Sequence, residues 1–201
     1  MKTLIMINGL KRSGKDFTTE IFIDLLQKEN VKRIGFADPI KRIISKIFKI
    51  SLEDLENFKN NPREYKIKIE KNIPHGHLEL LMTLDFREIL QIFGSEAMKP
   101  EFGNDVWAKI GLEKAVKATE KFVVISDYRF LIEYDFAKKY ADKYGFKLIT
   151  INIFNDDLKN EDCHSSEKEL LESKKKFDFV IDNTGRPNIR NKIKEIIQKI
   201  S

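Results

Sequence analysis

The sequence has one cysteine, Cys163, among 201 residues, which excludes an internal disulfide framework and points to a reducing compartment. It has no secretory h-region, no twin-arginine start and no apolar stretch long enough to span a bilayer. The expectation is therefore a cytoplasmic protein with no membrane partner. Charge of one sign is also scarce. The 37 Lys+Arg against 32 Asp+Glu leave a net charge of +5, which suits small phosphate-bearing ligands and gives no argument for nucleic acid. Of the three histidines, His75 and His77 flank Gly76 after Pro74 with no carboxylate or cysteine at ligand spacing, and read as exposed polar residues. Cys163 and His164 are sequence neighbours, a poor arrangement for a thiol dyad. No internal repeat or low-complexity linker appears. Hydrophobic residues at 41% and charged residues at 34% describe one domain over 1–201 with a sizeable core and room for a movable insert.

What is present is a strand that breaks into a glycine-bounded loop. The apolar run Leu4-Ile5-Met6-Ile7 leads into Gly9-Leu10-Lys11-Arg12-Ser13-Gly14-Lys15-Asp16. Gly9 and Gly14 let the backbone curl with its N–H groups inward as an anion nest, and Lys15 supplies a mobile charge for β- and γ-phosphates. The helix that follows adds its N-terminal dipole. Phe17, Ile21 and Leu25 recur four apart, so the spacing predicts an apolar helix face there. Asp16 stands where Ser or Thr would offer a hydroxyl to Mg²⁺. A carboxylate can ligate the metal directly or through water, and can cap the helix. Thr18 and Thr19, inside the first turn, are less well placed.

The remaining pattern alternates strands and helices. Strands are expected at 3–8, 31–36, 122–126, 147–154 and 177–181, with helices at 14–28 and from Asp38-Pro39 through Phe48. A last helix has Ile189, Ile193, Ile196, Ile197 and Ile200 on one face. This is an α/β chain with a doubly wound, five-stranded parallel sheet, whose ligands bind beyond the carboxyl ends of the strands. Two segments break the rhythm: 51–118, read as a mostly helical insert that grips an acceptor, and 155–174, a polar lid over the phosphates.

Asp127, at the tip of the apolar run 122–126, reads as a second Mg²⁺ holder, or else as a helix N-cap or salt-bridged edge acid, and Arg129 is expected to offer a planar fork to an acceptor phosphate. Glu133 either orients that arginine or touches a sugar hydroxyl, or else is a solvated helix charge. Arg87 and Gln91 lie four apart on one helix, suited to a phosphate and a base edge; the plainer reading is that Arg87 snorkels beside packed Leu90 and Phe93. Trp107 covers a base or fills the core. Lys41 reaches the same pocket or is a surface lysine.

Together these residues resemble the phage-type deoxynucleoside monophosphate kinases nearly end to end. The resemblance is carried by the loop at 9–16, Ala37-Asp38-Pro39-Ile40-Lys41, Arg87 through Gly94 with Ser95-Glu96, and Asp105-Val106-Trp107-Ala108-Lys109. It continues through Ser126-Asp127-Tyr128-Arg129 with Glu133, His164-Ser165-Ser166-Glu167, and Asp182-Asn183-Thr184-Gly185. It implies the P-loop kinase fold and transfer of the γ-phosphate of ATP, with Mg²⁺, to a deoxynucleoside monophosphate. It implies ATP binding by Gly9, Lys11, Arg12, Ser13, Gly14, Lys15 and Asp16, with Asn183 and Gly185 beside the adenine. Mg²⁺ falls to Asp16 and Asp127; the acceptor falls to Asp38, Lys41, Arg87, Gln91, Trp107, Lys109, Arg129 and Glu133. Lys15, Arg87, Asp127 and Arg129 become the catalytic set. A homodimer is compatible with the sequence.

Animal-type phosphomevalonate kinases are similar too, through Lys-x-Ser-Gly-Lys-Asp-Phe, Ser-Asp-x-Arg and a late Phe-Asp-x-Val-Ile strand. They lack a good match to Arg87–Gly94 and the following Trp107-Ala108-Lys109. A nucleic-acid-stimulated P-loop ATPase is a third reading, disfavoured by the modest charge and the lack of a basic-aromatic stripe.

Overall fold

Strand β1, Thr3–Gly9, is buried at every position because it lies in the middle of a sheet covered on both faces. It pairs in parallel with β5 (Phe122–Ile125) on one side and β6 (Lys147–Phe154) on the other, with Ile5 opposite both Val124 and Ile149. Strand β2 (Val31–Ile34) adds to β5 and β7 (Phe179–Asp182) to β6, giving the all-parallel order β2-β5-β1-β6-β7. The computed structural model describes residues 1–10, 12–60, 65–73, 76–155, 177–185 and 188–200, with backbone alone for 60, 65–73 and 76–84.

The chain leaves β1 in one direction and returns on its other side, so the sheet reverses around β1, and a crevice at the carboxyl ends follows from that topology. Helix α1 (Lys15–Leu25) and the C-terminal helix α8 (Ile189–Ile200) contribute Phe22, Ile193 and Ile196 to one core with Ile7, Ile151 and Ile153. The isoleucine face expected of α8 is the buried one. On α1 the expected row holds in part: Ile21 is buried and Leu25 packs against the core, but Phe17 is 63% exposed, and Thr18, Thr19 and Phe22 complete the inner face.

Strand β2 stops at Ile34, short of the expected Phe36, because the Phe36 amide leaves the ladder and donates to the Asp127 side chain at 2.8 Å. Helices α6 (Val106–Lys117) and α7 (Leu131–Tyr144) flank β5 in sequence.

Residues 37–106 form a second compact unit, separate from 1–36 with 107–201. It holds α2 (Asp38–Phe48), α3 (Leu52–Asn60), α4 (Phe86–Gln91), a π-helical turn Ile92–Ala97, and α5 (Met98–Phe102). Its core centres on Phe86, which meets Phe48 edge-on at 5.3 Å and stacks on Phe58 at 5.5 Å. The mostly helical character expected of 51–118 is corrected here by an antiparallel pair, β3 (Tyr65–Ile73) with β4 (Gly76–Leu84). The alternation Tyr65-Lys66-Ile67-Lys68-Ile69 has the period of a strand. Among the described residues no helix is long and apolar enough to cross a membrane.

Candidate active site

The loop after β1 is shaped by its two glycines. Gly14 has φ 95°, a left-handed backbone, and a Cβ there would run into the side-chain amide of Asn183. A Cβ on Gly9 would strike the carbonyl of Ile153 on the neighbouring strand. Arg12 also adopts a left-handed backbone, φ 66°, at a cost of about 1–2 kcal/mol for a residue with a side chain. The Ser13 amide closes a tight turn on the Leu10 carbonyl at 3.1 Å. Lys11 lies outside the described residues.

Lys15 curls over this loop, its Nζ donating to the carbonyls of Gly9 and, at 2.7 Å, Leu10. Helix α1 starts on Gly14, which has no side chain to cap the first N–H groups, an end suited to an anion. Ser13 and Thr18 are fully buried, and among the described residues their hydroxyls have no hydrogen-bond partner. Unmade hydrogen bonds of this kind cost about 1–3 kcal/mol each, and they fit a loop whose remaining polar partner is a ligand.

Behind the loop, the Asn183 side chain donates to the Ser13 carbonyl at 2.8 Å, and its own amide donates to the Phe154 carbonyl at 2.9 Å. Asn183 is expected beside an adenine. The contact observed is with the phosphate loop itself, where it acts as a brace. Gly185 takes a left-handed backbone, φ 61°, in the turn after β7.

At the end of β5, three contacts fix the segment Asp127-Tyr128-Arg129. Asn8 on β1 donates to the Tyr128 carbonyl at 2.9 Å, Asp127 accepts from Phe36, and the Arg129 amide donates to Glu133 at 2.7 Å. Tyr128 is fully buried, and burial pushes its hydroxyl far above the usual tyrosine range. Glu133 fits the orienting role expected of it and is not a solvated helix charge. It is buried, 8% exposed, and its carboxylate accepts from the amides of Arg129 and Phe130 (3.0 Å). Phe130 at the helix cap position has no side-chain acceptor, so Glu133 makes the N3 half of a capping box alone and orients the backbone of Arg129.

Asp16 is ion-paired with Arg33 of β2 at 3.0 Å, a residue that the sequence pattern did not single out. Asp16 and Asp127 supply hard carboxylate oxygens, the donors Mg²⁺ takes one or two at a time beside water and phosphate. The Asp16 side chain is 86% exposed, and so within reach of a solvated ion. Among the described residues no cluster of three or more acidic, histidine or cysteine side chains forms a self-contained metal cage.

The expected acceptor residues divide between the two units. Asp38, Lys41, Arg87 and Gln91 belong to the second. Lys41 pairs with Glu56 at 2.5 Å, on a cleft of about 270 Å³ lined by Asp38, Lys41, Arg42, Leu52 and Glu56. The Arg87 guanidinium donates to the Lys59 carbonyl at 3.4 Å, and Gln91 is exposed. In the first unit, Trp107 is 5% exposed and takes the core reading. The Lys109 ammonium lies 5.2 Å from the centre of the Phe136 ring. The lid expected at 155–174 falls almost wholly in 156–176, outside the described residues.

No protein-family model matches the sequence, and no curated protein matches it. Solved structures do. A protein of Chloroflexus aurantiacus assigned as a kinase superposes with TM-score 0.51 at 11% identity, covering 99% of this chain and 96% of that one. The tunicamycin resistance protein of Deinococcus radiodurans gives TM-score 0.51 at 12% identity, with 100% and 96% covered. The chain has the P-loop kinase fold. An APS kinase of Mycobacterium tuberculosis, solved with AMPPNP and APS, matches at TM-score 0.47 and 12% identity, with 99% and 97% covered. In this chain the glycine-bounded loop of 9–16 connects β1 to α1, and Asp127 stands at the end of the strand beside β1.

Proposed function

We propose that this protein transfers the γ-phosphate of ATP to a deoxynucleoside monophosphate, giving ADP and a deoxynucleoside diphosphate. The observation that carries this reading is a P-loop ending in Lys15 between β1 and α1, with Asp127 and Arg129 held rigidly at the tip of the adjacent strand β5. The choice of acceptor rests on the sequence resemblance, above all Arg87–Gly94 and Trp107-Ala108-Lys109.

Phosphoryl transfer is mostly positioning and charge stabilisation, because its transition state is loose. Lys15 exchanges the carbonyls of Gly9 and Leu10 for the β- and γ-phosphates, and the loop N–H groups hold the same oxygens. Asp16 and Asp127 would hold Mg²⁺, which would neutralise phosphate charge. Arg129, and by the resemblance Arg87, offsets repulsion between the acceptor's phosphate and the γ-phosphate. The attacking oxygen is already ionised, so no general base is needed.

The test is a coupled ADP-release assay with ATP, Mg²⁺ and a panel of deoxynucleoside monophosphates, ribonucleoside monophosphates and phosphomevalonate. Turnover on deoxynucleoside monophosphates supports the reading. Turnover on phosphomevalonate alone replaces the substrate, and ADP release without an acceptor moves the protein to the ATPases.

A further inference from the structure

Arg33 gathers two helix carboxylates and a strand-end hydroxyl. It lies on β2, at the edge of the sheet, and the guanidinium reaches Asp16 Oδ1 at 3.0 Å and Glu20 Oε1 at 2.5 Å, both on α1. Its Nε donates to the Ser126 hydroxyl at 3.3 Å, next to Asp127. One planar fork thus links the first turn of α1 to the end of β5, the two places where the Mg²⁺ carboxylates sit. Glu20 and Ser126 would satisfy the arginine as a purely structural link. The contact with Asp16 is the one that a structural role does not require.

That contact puts a fixed positive charge on the carboxylate that stands at the loop's metal position. Without a divalent ion, the arginine neutralises Asp16; with one, the two cations compete for it. The pair is exposed, with Arg33 39% and Asp16 86% accessible, and pairs of this kind contribute about 1 kcal/mol at most, so an arriving ion can displace it. The anchors on Glu20 and Ser126 keep the guanidinium in place when Asp16 leaves.

We propose that Arg33 is a positioning residue that holds the Asp16 carboxylate by an ion pair and gives it up to the divalent cation when nucleotide loads, thereby setting the site's metal affinity. This rests on the reading of the loop as an ATP site. Loss of the guanidinium then tightens metal binding, since the competitor is gone.

The experiment is a titration of Mn²⁺, followed by its electron paramagnetic resonance signal, into the full chain saturated with AMPPNP. Wild type, Arg33→Gln, Asp16→Asn and the double variant are compared. Arg33→Gln is expected to tighten Mn²⁺ about fivefold, the ratio that about 1 kcal/mol gives. Asp16→Asn is expected to bind more weakly and to be indifferent to the added Arg33→Gln. An unchanged Mn²⁺ affinity in Arg33→Gln overturns the proposal, as does an equal gain in the Asp16→Asn background, which would assign the effect to Glu20. If Arg33→Gln does not fold, Arg33→Met carries the test. It keeps an unbranched aliphatic stem but removes the charge, so tightening supports the proposal and unchanged affinity overturns it. AMPPNP binding with unaltered Mn²⁺ affinity sinks this proposal alone; failure of wild type to bind AMPPNP sinks the ATP reading and this proposal together.

Discussion

The side-chain amide of Asn183, at the end of the last strand, donates to the carbonyl of Ser13 in the P-loop at 2.8 Å, in a buried contact between residues 170 apart in sequence. The phosphate loop is thus braced from behind by the opposite end of the chain. Replacing Asn183 by Leu leaves the Ser13 carbonyl buried without its donor and puts bulk beside Gly14, where a Cβ would come within 2.4 Å of the Asn183 amide. Urea unfolding should show a loss of about 1–3 kcal/mol. AMPPNP affinity should fall as well, because the loop loses its support. Wild-type stability in this variant would show that the brace is dispensable.

Lys15→Ala should lower turnover by about a hundredfold or more while leaving the melting temperature nearly unchanged. Its ammonium donates to the carbonyls of Gly9 and Leu10, backbone groups of the loop itself. Near-normal turnover would refute the role given to this lysine.

Glu133 separates a structural role from a substrate role. As the cap of α7 it should cost about 1–3 kcal/mol when changed to Ala, because two part-buried amides lose their acceptor. Glu133→Gln retains an acceptor oxygen and should recover part of that loss. A changed acceptor KM with unchanged stability would return Glu133 to the sugar-binding role.

Glu56 predicts a pH dependence. Burial pushes its carboxyl up, but hydrogen bonds and charge from Lys41 and Lys59 outweigh this and hold it below the ordinary value of 4.5. A depressed carboxyl stabilises the fold above the unfolded value, and that contribution disappears as pH falls through the folded value. The stability gap between wild type and Glu56→Gln should therefore be present at neutral pH and close in acid. A gap that stays constant down to acid pH would contradict the pairing.

The parts of this molecule legible in the sequence are those set by local pattern. Strand β1 reads as a continuous apolar run because both of its faces are covered, and α8 reads as an isoleucine stripe because one face is. Strands β3 and β4 alternate visibly, but inside a segment flanked by helical patterns their period of two was outweighed. The Arg33 links to Asp16 and Ser126 span 17 and 93 residues, and no local spacing encodes such contacts. Glu133 carried a signal that was incomplete: a glutamate at N3, without the Ser, Thr or Asp at the cap that normally announces it. The Glu56 partner of Lys41 and the Phe136 ring beside Lys109 lie 15 and 27 residues away along the chain, beyond what local spacing encodes.

The measurement that bears most directly on the kinase reading is product analysis of the protein with ATP, Mg²⁺ and single deoxynucleoside monophosphates, separating nucleotides by charge. The account predicts deoxynucleoside diphosphate and ADP in equal amounts, with both lost in Lys15→Ala. ADP accompanied by free phosphate and an unchanged monophosphate would contradict it.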